Sequence, residues 1–502
     1  MKKDKILVWL SADLTHFCIS HFLKKFHDCE LYAIIDVTEN SKIFFQNQNL
    51  IPFKKIWFLH DNIHPIDYVP DLKYLSEIEK NYNIQLWRYG INERIFYKFF
   101  KFFKYSDSTI LSIIQQCCML FEKIIDEVQP DFFLSPSPVF NHHEIFYQFL
   151  KKRNTKCLIL SIPRIANKCL ISDNIGKMNH IENLDSTPSR FTNENELRKY
   201  IQTLSSDKQI ENYWKKIEKS KIIFFKAILK YIFSKNESIN KNYTHFGRKK
   251  SIVLFDGFNQ TFKKFFRQKF IDNNLKKQID FDTPYIYFPL SVDMERNLLI
   301  DSPLYTNQIE IIRNIVRTMP VDYKLYVKEN PAQSSRQWRS ISEYKEIMDI
   351  PNVTLIHPSL KGQELVKNSS LVISIAGATP LEAAFYGKPS INFSDMVYNI
   401  LPSVTKVDGF GNLENCIKNS LKIIPKIEEL DKFIQLIEKN TFDFDLLNLI
   451  NIFNHEFYYD GHFFDVEINE TKMQRFLSNN EELFEKLILA HLDKIKQLKS
   501  ND

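Results

Sequence analysis

The sequence predicts an α/β protein made of two doubly wound lobes with parallel sheets, followed by a helical C-terminal segment. Short apolar, β-branched runs alternate with helical patterns early in the chain and again from Pro284 onward, as in consecutive βαβ units. The 502 residues exceed what one hydrophobic core usually supports. We therefore divide the chain into a first lobe over 1–245, a second lobe over 246–420 and a helical extension over 421–502 that braces the lobes.

Composition indicates a folded protein and excludes several classes. Hydrophobic residues make up 44% of the chain and charged residues 25%, which is typical of a globular protein. The formal net charge of +6 is too small for a nucleic-acid-binding surface, but it permits attraction to anionic lipid or nucleotide. The seven cysteines are an odd number without CxxC spacing. We therefore expect reduced thiols in the cytoplasm, with neither a disulfide framework nor a zinc site.

The lysine-rich N-terminus is similar to a signal peptide only over its first few residues. The apolar run Ile6–Leu10 is too short for one, and the polar residues Asp13 and His16 come soon after it. We interpret the run as the first β-strand. No stretch approaches the roughly 20 uncharged apolar residues of a membrane span, so we expect the protein to stay in the cytoplasm.

The first lobe takes its strands from short apolar runs. The predicted strands are Ile6–Leu10, Leu31–Val37, Phe132–Leu134 and Cys157–Leu160, and the predicted helices are Phe17–Phe26 and Glu144–Lys152. A doubly wound sheet places ligand groups just past its strand ends. The polar residues at those points are Asp13, His16, Ser135, Ser137, His142 and Arg164. Each alone is typical of a loop, but together they predict a binding edge.

Two stretches of this half, Arg94–Tyr105 and Lys215–Lys235, are both basic and aromatic. On a helix, the second would place four apolar side chains on one face, flanked by lysines. The apolar set is Ile222, Phe225, Leu229 and Ile232, and the lysines are Lys219, Lys226 and Lys230. Such a helix suits an anionic membrane surface. It suits equally well an amphipathic helix packed on the protein with its lysines in water, and both alternatives stay open.

The sequence pattern only partly determines the secondary structure of the segment between the two lobes. The polar, turn-rich segment Ser234–Lys250 predicts an inter-domain link. Within the following Ile252–Gln278, either Ile252–Phe255 is a strand or much of the segment is helical, with a run of Lys and Phe. A short apolar run does not decide between these two.

The βαβ pattern is clearest after Pro284. The predicted strands are Tyr285–Pro289, Tyr323–Val327 and Val353–Ile356, and the helices between and after them are Tyr305–Thr318, Trp338–Met348 and Gly362–Asn368. Polar residues follow all three strands, in Leu290–Glu295, in Lys328–Pro331 and at His357. Loops that follow neighbouring parallel strands converge on one crevice. Beyond Leu413 we expect amphipathic helices over Ile417–Ile424, Ile427–Glu438, Phe444–Phe453 and Met473–Leu498.

The stretch 371–393 is the centre of the second lobe. A strand over Leu371–Ile375 leads into the small residues 376–378, and Thr379 is predicted as the N-cap of a helix with Pro380 in its first turn. The helix is expected to end at Gly387, before a strand over Ser390–Phe393. Such a turn presents free N–H groups and a helix dipole to an anion. The alternative is an ordinary βαβ connection.

The segment from Pro284 to Val407 resembles the capsule polysaccharide biosynthesis family of bacterial glycosyltransferases, which includes Kdo transferases acting on capsule lipid anchors. The matching motifs occur in the family's order and cover about a quarter of the chain. They are Tyr287–Leu290 (YFPL), Met294–Glu295, Gln308, Leu325–Pro331 (LYVKENP), Arg336, Asn352–Ile356 (NVTLI), Gly377, Glu382–Ala383 and Gly387–Pro389 (GKP). The first half is similar to the family more weakly, through Ser161–Arg164 and Ile171–Asp173.

The resemblance implies a GT-B-like fold, two Rossmann-type lobes facing a central cleft, and a glycosyltransferase. The second lobe would hold a CMP- or UDP-linked sugar donor and the first a glycan or glycolipid acceptor of a surface polysaccharide. The nucleotide sugar is a substrate, so no cofactor and no metal are expected. A location at the cytoplasmic face of the inner membrane, with peripheral contact and no nucleic acid, fits this interpretation.

The same resemblance assigns site residues. The donor-binding set is Lys328, Glu329, Asn330, Arg336, Gly377, Ala378, Thr379 and Glu382. Gly377, Ala378 and Thr379 would cradle phosphate near Lys328, and Glu382 would hold ribose. The alternative for Lys328 is an ion pair with Glu329. The candidate catalytic bases are Glu295 and Asp13, both chosen for their positions at strand ends.

Two departures from the family pattern stand out. The family has His where this chain has Asn330, and Asn donates a hydrogen bond but carries no charge. His357, past the next strand, is the candidate to supply the imidazole. The turn before Thr379 also lacks a glycine that is usual in the family. Two alternatives remain. A nucleotide-sugar epimerase of the same fold would need several acid–base groups in the crevice, and the loss of the His counts against it. A non-catalytic scaffold of a capsule-assembly complex is supported by Asn330 and by the basic aromatic helices. The sugar, acceptor, linkage, stereochemistry and oligomeric state stay undetermined.

Overall fold

The chain forms two compact units. The structure is a computed structural model that describes residues 3–66, 68–97, 102–163, 165–178, 184, 187–191, 194–204, 221–234 and 242–500. Unit 1 comprises Met1–Ile175, Leu204–Lys250 and Thr441–Asp502, and unit 2 comprises Gly176–Thr203 and Ser251–Asn440. Arg164 lies outside the described residues, as do parts of the two basic aromatic stretches, namely 98–101, 215–220 and residue 235.

The strands of both units are short. In chain order they are β1 (Asp4–Ser11), β2 (Cys29–Asp36), β3 (Lys55–Phe58), β4 (Phe132–Pro136), β5 (Lys156–Ser161), β6 (Lys168–Ser172), β7 (Tyr285–Pro289), β8 (Lys324–Lys328), β9 (Val353–Ile356), β10 (Leu371–Ser374), β11 (Ser390–Asn392), β12 (Val404–Lys406) and β13 (Thr441–Asp443).

The α-helices range from one turn to seven. In chain order those described are α1 (Thr15–Phe26), α2 (Glu39–Asn47), α3 (Leu72–Tyr82), α4 (Leu86–Asn92), α5 (Arg94–Tyr97), α6 (Asp107–Val128), α7 (Asn141–Lys152), α8 (Glu194–Thr203), α9 (Lys221–Phe233), α10 (Lys250–Asn274), α11 (Arg296–Leu299), α12 (Gln308–Thr318), α13 (Gln333–Arg336), α14 (Ile341–Met348), α15 (Gly362–Asn368), α16 (Thr379–Phe385), α17 (Leu413–Ser420), α18 (Ile427–Asn440), α19 (Leu446–Phe457), α20 (Glu470–Asn479) and α21 (Glu481–Ser500). Short 3₁₀ turns lie at Leu59–Asn62, Tyr243–His245, Val397–Ile400, Phe410–Asn412 and Tyr459–Gly461.

The sheet of unit 1 has seven strands in the order β13-β6-β5-β4-β1-β2-β3. The five strands from β5 to β3 are parallel, while β6 pairs antiparallel with β5 and with β13. Side chains of β1 alternate between the faces, as the twofold period of a strand requires. Ile6, Val8 and Leu10 pack against α1 and the helices α19 to α21, and Leu7 and Trp9 pack against the helices α3 to α7. Both faces are therefore covered.

The sheet of unit 2 has six parallel strands in the order β12-β11-β10-β7-β8-β9. Ile286 and Phe288 of β7 face a core shared with α12, α14 and α17, whereas Tyr285 and Tyr287 face α15 and α16. Counted from β9, the six strands lie in the sequence order third, second, first, fourth, fifth, sixth. This is the Rossmann order, whose direction reverses between the first and fourth strands.

Both units thus confirm the predicted fold class, an α/β chain with two doubly wound, Rossmann-type sheets, as in a GT-B-like protein. Each sheet has a switch point, between β1 and β4 in unit 1 and between β7 and β10 in unit 2. Ligands of such sheets bind at the carboxyl ends of the strands beside this point. The fold therefore specifies where in each unit a site should be sought.

Some local predictions need correction. Of the two alternatives for Ile252–Gln278 the helical one is confirmed, since Ile252–Phe255 lies within the 25-residue helix α10 and not in a strand. The helix predicted over Met473–Leu498 is two helices, α20 and α21, which meet at Asn480. Thr379 is not the N-cap of α16 but its first residue, after Ala378. The three-block division of the chain stays a prediction; helices from its last block are found in both units.

The apolar helix α6 is long enough and apolar enough to cross a membrane by composition, and 61% of its most apolar window is buried. Its side chains belong to the core of unit 1 against the β1 to β5 sheet. All seven cysteines are free and buried, as expected for thiols in a protein core.

Two buried histidines make unit 1 sensitive to acid. Burial, together with the neighbouring His491, lowers the pKa of His16 from 6.5 to about 3, and burial lowers the pKa of His491 to about 4. The neutral rings stabilise the fold above pH 6.5. That stability is lost as the pH falls from 6.5 towards these values, because the unfolded chain binds protons that the folded chain does not.

We expect the free energy of unfolding to fall by up to about 1.4 kcal/mol per pH unit for each of these histidines. In His491→Asn the amide nitrogen can replace the Nδ1 donor to the carbonyl of Leu487, but the side chain does not titrate. The free energy of unfolding, measured with urea across this pH range, should depend less steeply on pH in the variant. Equal slopes in both proteins would contradict the assignment.

Candidate functional site

The switch point of unit 2 lies between the end of β8 and the turn after β10. Lys328, the last residue of β8, pairs with Pro289 of β7, and the register of β10 on β7 brings Ser374 to the same level. Lys328 and Ser374 are therefore two strand spacings apart, about 10 Å. Lys328 and the turn after β10 therefore lie at the same edge of the sheet.

The turn after β10 is open on one side and fixed on the other. Gly377 has φ +139°, a conformation that side chains rarely adopt, and a Cβ placed there would meet no atom within 4 Å. The buried Tyr398 hydroxyl donates a hydrogen bond to the carbonyl oxygen of Gly377. The backbone of this turn is therefore held in place while space remains above it for a ligand.

Lys328 and Glu382 form the charged centre of this edge. Burial lowers the pKa of Lys328 from 10.5 to about 8, while the carboxylates of Glu329 and Glu382 act in the opposite direction. Glu382 also contributes, after burial, to the raised pKa values of Tyr287 and Tyr398. A lysine, a carboxylate and two tyrosines thus gather at the switch point.

The alternative ion pair between Lys328 and Glu329 is not formed. Lys328 Nζ lies 3.5 Å from the backbone carbonyl oxygen of Glu329. The Glu329 carboxylate instead accepts hydrogen bonds from Arg339 Nε at 2.9 Å, from the Tyr344 hydroxyl at 2.8 Å and from the backbone N–H of Asn330 at 2.7 Å. The Glu329 carboxylate is therefore engaged by Arg339, Tyr344 and the backbone of Asn330, and not by the Lys328 ammonium.

Arg339 ties this anion to the loop after β7. Its guanidinium also donates to the carboxylate of Asp293 and, at 2.6 Å, to the carbonyl oxygen of Ser291. Gln308 supports the same loop by bonding both the N–H and the carbonyl of Ser291. The loops that follow β7 and β8 are thus fixed relative to each other by one buried cation.

The other predicted residues of unit 2 have local roles in the structure. The amide oxygen of Asn330 accepts a hydrogen bond from the N–H of Ala332 at 3.0 Å. Glu295 precedes α11, where its carbonyl accepts the first helical N–H groups. Arg336 ends α13, and its side chain lies outside the described part of the chain. Their predicted contacts with a donor stay predictions.

The imidazole of His357 is engaged on both sides. Nδ1 lies 2.6 Å from Ser359 Oγ, and Nε2 lies 2.9 Å from Asp272 Oδ1 on α10. The hydrogen bond to His357 is the largest cause that lowers the pKa of Asp272. These contacts hold α10 against the end of β9. The predicted role of His357 as a substitute for the family histidine stays a prediction.

In unit 1, Asp13 lies two residues before α1 and bonds the first residue of that helix. Its carboxylate accepts hydrogen bonds from the N–H of Thr15 at 3.0 Å and from the Thr15 hydroxyl at 2.6 Å. Burial raises its pKa against these bonds. Its predicted role as a catalytic base stays untested, and these contacts explain its presence without one.

A cavity of about 500 Å³ lies over the switch point of unit 1, within the size range of small-molecule sites. Its walls come from residues that follow the first four strands, together with the turn Tyr243–His245 and Phe464. The lining includes Trp9, Ser11, Ala12, Asp36, Thr38, His60, Ser137, Phe140, His142, His143, His245 and Arg248. The predicted binding edge of this lobe thus includes Ser137 and His142.

The cavity contains a carboxylate held between two imidazoles, which sequence reasoning missed. Asp36 Oδ1 lies 2.9 Å from His60 Nε2, and Oδ2 lies 3.0 Å from His142 Nε2. The Tyr243 hydroxyl lies 3.3 Å from His142 Nδ1. Among the described residues, His60 Nδ1 is buried without a hydrogen-bond partner. This arrangement offers a polarised imidazole to a ligand.

Asp36 and His142 of this cluster stabilise each other's charged forms. Burial opposes the charged form of His142, but the Asp36 carboxylate outweighs it and raises the pKa of His142 above 6.5. Burial would likewise raise the pKa of Asp36, and the two histidines hold it well below its usual range. Burial lowers the pKa of His245 to about 4, so that ring is neutral at neutral pH. The Asp36 carboxylate thus favours the protonated form of the His142 imidazole.

Only part of this cluster was visible in the sequence. Asp36 lies within the predicted strand Leu31–Val37, but His60 follows β3, which the apolar pattern did not reveal. His60 lies 24 positions and His142 lies 106 positions from Asp36 in the chain, so no local sequence spacing marks the cluster. In the part of the chain that the structure describes, no group of three or more His, Cys, Asp or Glu residues is arranged to hold a metal ion.

No family model and no curated protein matches the chain. Several solved structures are similar to it. UDP-GlcNAc 2-epimerase from Methanocaldococcus jannaschii is 14% identical over 87% of this chain and 99% of its own, with a TM-score of 0.24. The beta Kdo 2,7 transferase KpsC of Thermosulfurimonas dismutans is 11% identical over 63% of this chain and 79% of its own, with a TM-score of 0.29. Identities and TM-scores this low carry no argument about function.

Breaking the Arg339 cluster should destabilise unit 2. We expect Arg339→Met to lower the free energy of unfolding by about 3–5 kcal/mol, because it leaves the Glu329 carboxylate buried without its cation. Arg313→Met is the matched control, since Arg313 forms exposed pairs with Glu310 and Glu346 that contribute under about 1 kcal/mol each. Urea denaturation measures both, and similar losses in the two variants would count against the assignment.

Proposed function

We propose that this chain is a glycosyltransferase that moves a sugar from a nucleotide-activated donor, CMP- or UDP-linked, to a surface polysaccharide or its lipid anchor. Unit 2 binds the donor at the switch point between β7 and β10. Unit 1 binds the acceptor in the cavity beside Asp36 and His142.

One observation carries the donor site. A buried lysine and a half-buried glutamate meet at the switch point of a Rossmann sheet, beside a turn with an open approach to its backbone. Lys328 supplies a positive charge for a phosphate, and Glu382, one turn into α16, can accept hydrogen bonds from ribose hydroxyls. The lack of a competing ion pair to Glu329 supports this role for Lys328.

The reaction requires a base for the acceptor and a cation for the leaving group. In the proposed step an acceptor hydroxyl forms a bond to the anomeric carbon, and the bond from that carbon to the phosphate oxygen breaks. For an acceptor in the unit 1 cavity, the candidate base is His142 in its neutral form, oriented by Asp36. For a donor at the unit 2 switch point, Lys328 is the candidate cation for the nucleotide phosphate. The family His that is absent at Asn330 is not needed for either role.

Nucleotide binding should depend on Lys328 and Glu382. We expect one of CMP, UDP, GDP and dTDP to bind in calorimetric titration, and Lys328→Met and Glu382→Ala each to weaken it at least about tenfold through loss of a charged hydrogen bond. Lys361→Met removes an exposed lysine before α15 and should leave the affinity unchanged.

The same titration has a pH signature. Lys328 has a pKa of about 8, so its ammonium is lost as the pH rises through that region, and the affinity should decline there in the wild type. Lys328→Met should show no such decline. If a folded protein binds none of the four nucleotides, the donor site is wrong and a non-catalytic scaffold becomes the better account.

The base in unit 1 should be visible in a pH–rate profile. We expect Asp36→Asn to lower the transfer rate about 100-fold or more and to move the acidic limb of the profile to lower pH, because His142 loses the carboxylate that raises its pKa. Asp61→Asn, at an exposed pair with Lys42, is the control. A rate loss with an unmoved limb would assign Asp36 a merely structural role.

The cluster in unit 1 also favours a second candidate, a nucleotide-sugar epimerase, because epimerisation needs several acid–base groups in one site. Asp36, His60 and His142 provide such a set. Incubation of the nucleotide sugar in D₂O without acceptor, followed by NMR, separates the two. Deuterium incorporation with a changed sugar configuration supports the epimerase, and an unchanged nucleotide sugar supports the transferase.

A further inference from the structure

The helix α10 carries a continuous apolar stripe on its outer side. The side chains recur at intervals of three and four residues, which places them on one face. They are Leu254, Phe255, Phe258, Phe262, Phe265 and Phe266, and all six are exposed. Phe258 is 75% exposed and Phe255 72%. Contiguous exposed apolar patches of this kind mark interaction sites.

The opposite face of α10 is fixed on unit 2. Arg267 donates to the backbone carbonyl of Trp338, and the indole N–H of Trp338 donates to Gln268 at 2.9 Å. Gln260 contacts Gln337. These bonds set the rotation of the helix about its axis, so the apolar stripe is turned outward by the fold.

The stripe has a cationic border. Lys263, Lys264 and Lys269 are exposed and make no ion pair with any described residue. The two acidic residues of α10 are Asp256, which accepts a hydrogen bond from Gln260, and Asp272, which pairs with His357. With five basic residues against these two, the helix carries a net positive charge.

The helix α9 of unit 1 also has an exposed apolar face with lysines beside it. Ile222, Phe225, Leu229 and Ile232, the set predicted to share a face, are all exposed, with Ile222 71% so. Its other face packs, through the buried Ala227 and through the ring of Tyr231 on Phe463. Lys226 and Lys230 flank the exposed side, and α9 contains no acidic residue. Of the two alternatives left open for this helix, the structure contradicts the one in which the predicted apolar face packs on the protein.

We propose that the outer faces of α9 and α10 dock on an anionic lipid surface. Phenylalanine and leucine side chains enter the boundary between headgroups and acyl chains, while flanking lysines reach the anionic headgroups. A second copy of the chain is a poorer occupant, since pairing the stripes brings two lysine borders together. The inference is independent of the proposed glycosyl transfer.

Vesicle sedimentation tests the proposal on the full chain. We expect the protein to bind vesicles of phosphatidylglycerol and phosphatidylcholine, to bind pure phosphatidylcholine much less, and to be released by salt. The variant Phe258→Gln, Phe262→Gln, Phe265→Gln should lose at least about tenfold in affinity. The control Leu304→Gln, Val321→Gln, Ile424→Gln replaces three exposed apolar residues of unit 2 outside the stripe and should bind as the wild type does.

Thiol labelling distinguishes lipid from other occupants. All seven native cysteines are buried, so Phe262→Cys introduces one reactive thiol. We expect it to react rapidly with a maleimide in solution and slowly once phosphatidylglycerol vesicles are present. Slow labelling without vesicles would mean that another part of the chain or a second copy covers the stripe. That result, or equal vesicle binding by the wild type and the Phe variant, overturns the proposal.

Discussion

The buried guanidinium of Arg339 is the contact on which the order of the unit 2 site depends. It joins the carboxylates of Glu329 and Asp293 and the carbonyl of Ser291, so the loops after β7 and β8 share one cation. A buried ion pair adds little net stability over a well-packed apolar core, but its geometry is specific. Because the Glu329 carboxylate is bonded by Arg339 and Tyr344, it forms no ion pair with the neighbouring Lys328.

The switch point of unit 1 is built from different side chains. It is organised by a carboxylate, Asp36, between the imidazoles of His60 and His142. The imidazoles lower the pKa of Asp36 and the carboxylate raises that of His142, so each favours the charged form of the other. One Rossmann-type sheet thus has a buried lysine at its switch point, and the other has a buried carboxylate between two histidines.

The sequence predicted the fold class well because parallel strands buried on both faces read as apolar runs; the predicted bounds of β9 match those observed. Site prediction was weaker. Lys328 and Glu382 were proposed from their positions at or after strand ends and from the family resemblance, and their role as donor residues stays a prediction. Asp36 was missed as a site residue, since its partners come from distant loops and only the folded sheet brings them together. The ambiguous Ile252–Gln278 became a helix because its polar face packs on unit 2, a contact that no local pattern encodes.

Hydrogen–deuterium exchange with and without nucleotide would show whether a nucleotide binds at the unit 2 switch point. We expect slower exchange in the turn 375–378, in the first turn of α16 and in residues 328–330, and unchanged exchange around Asp36. Protection confined to the cavity of unit 1, or none anywhere in a chain that binds the nucleotide, would contradict this expectation.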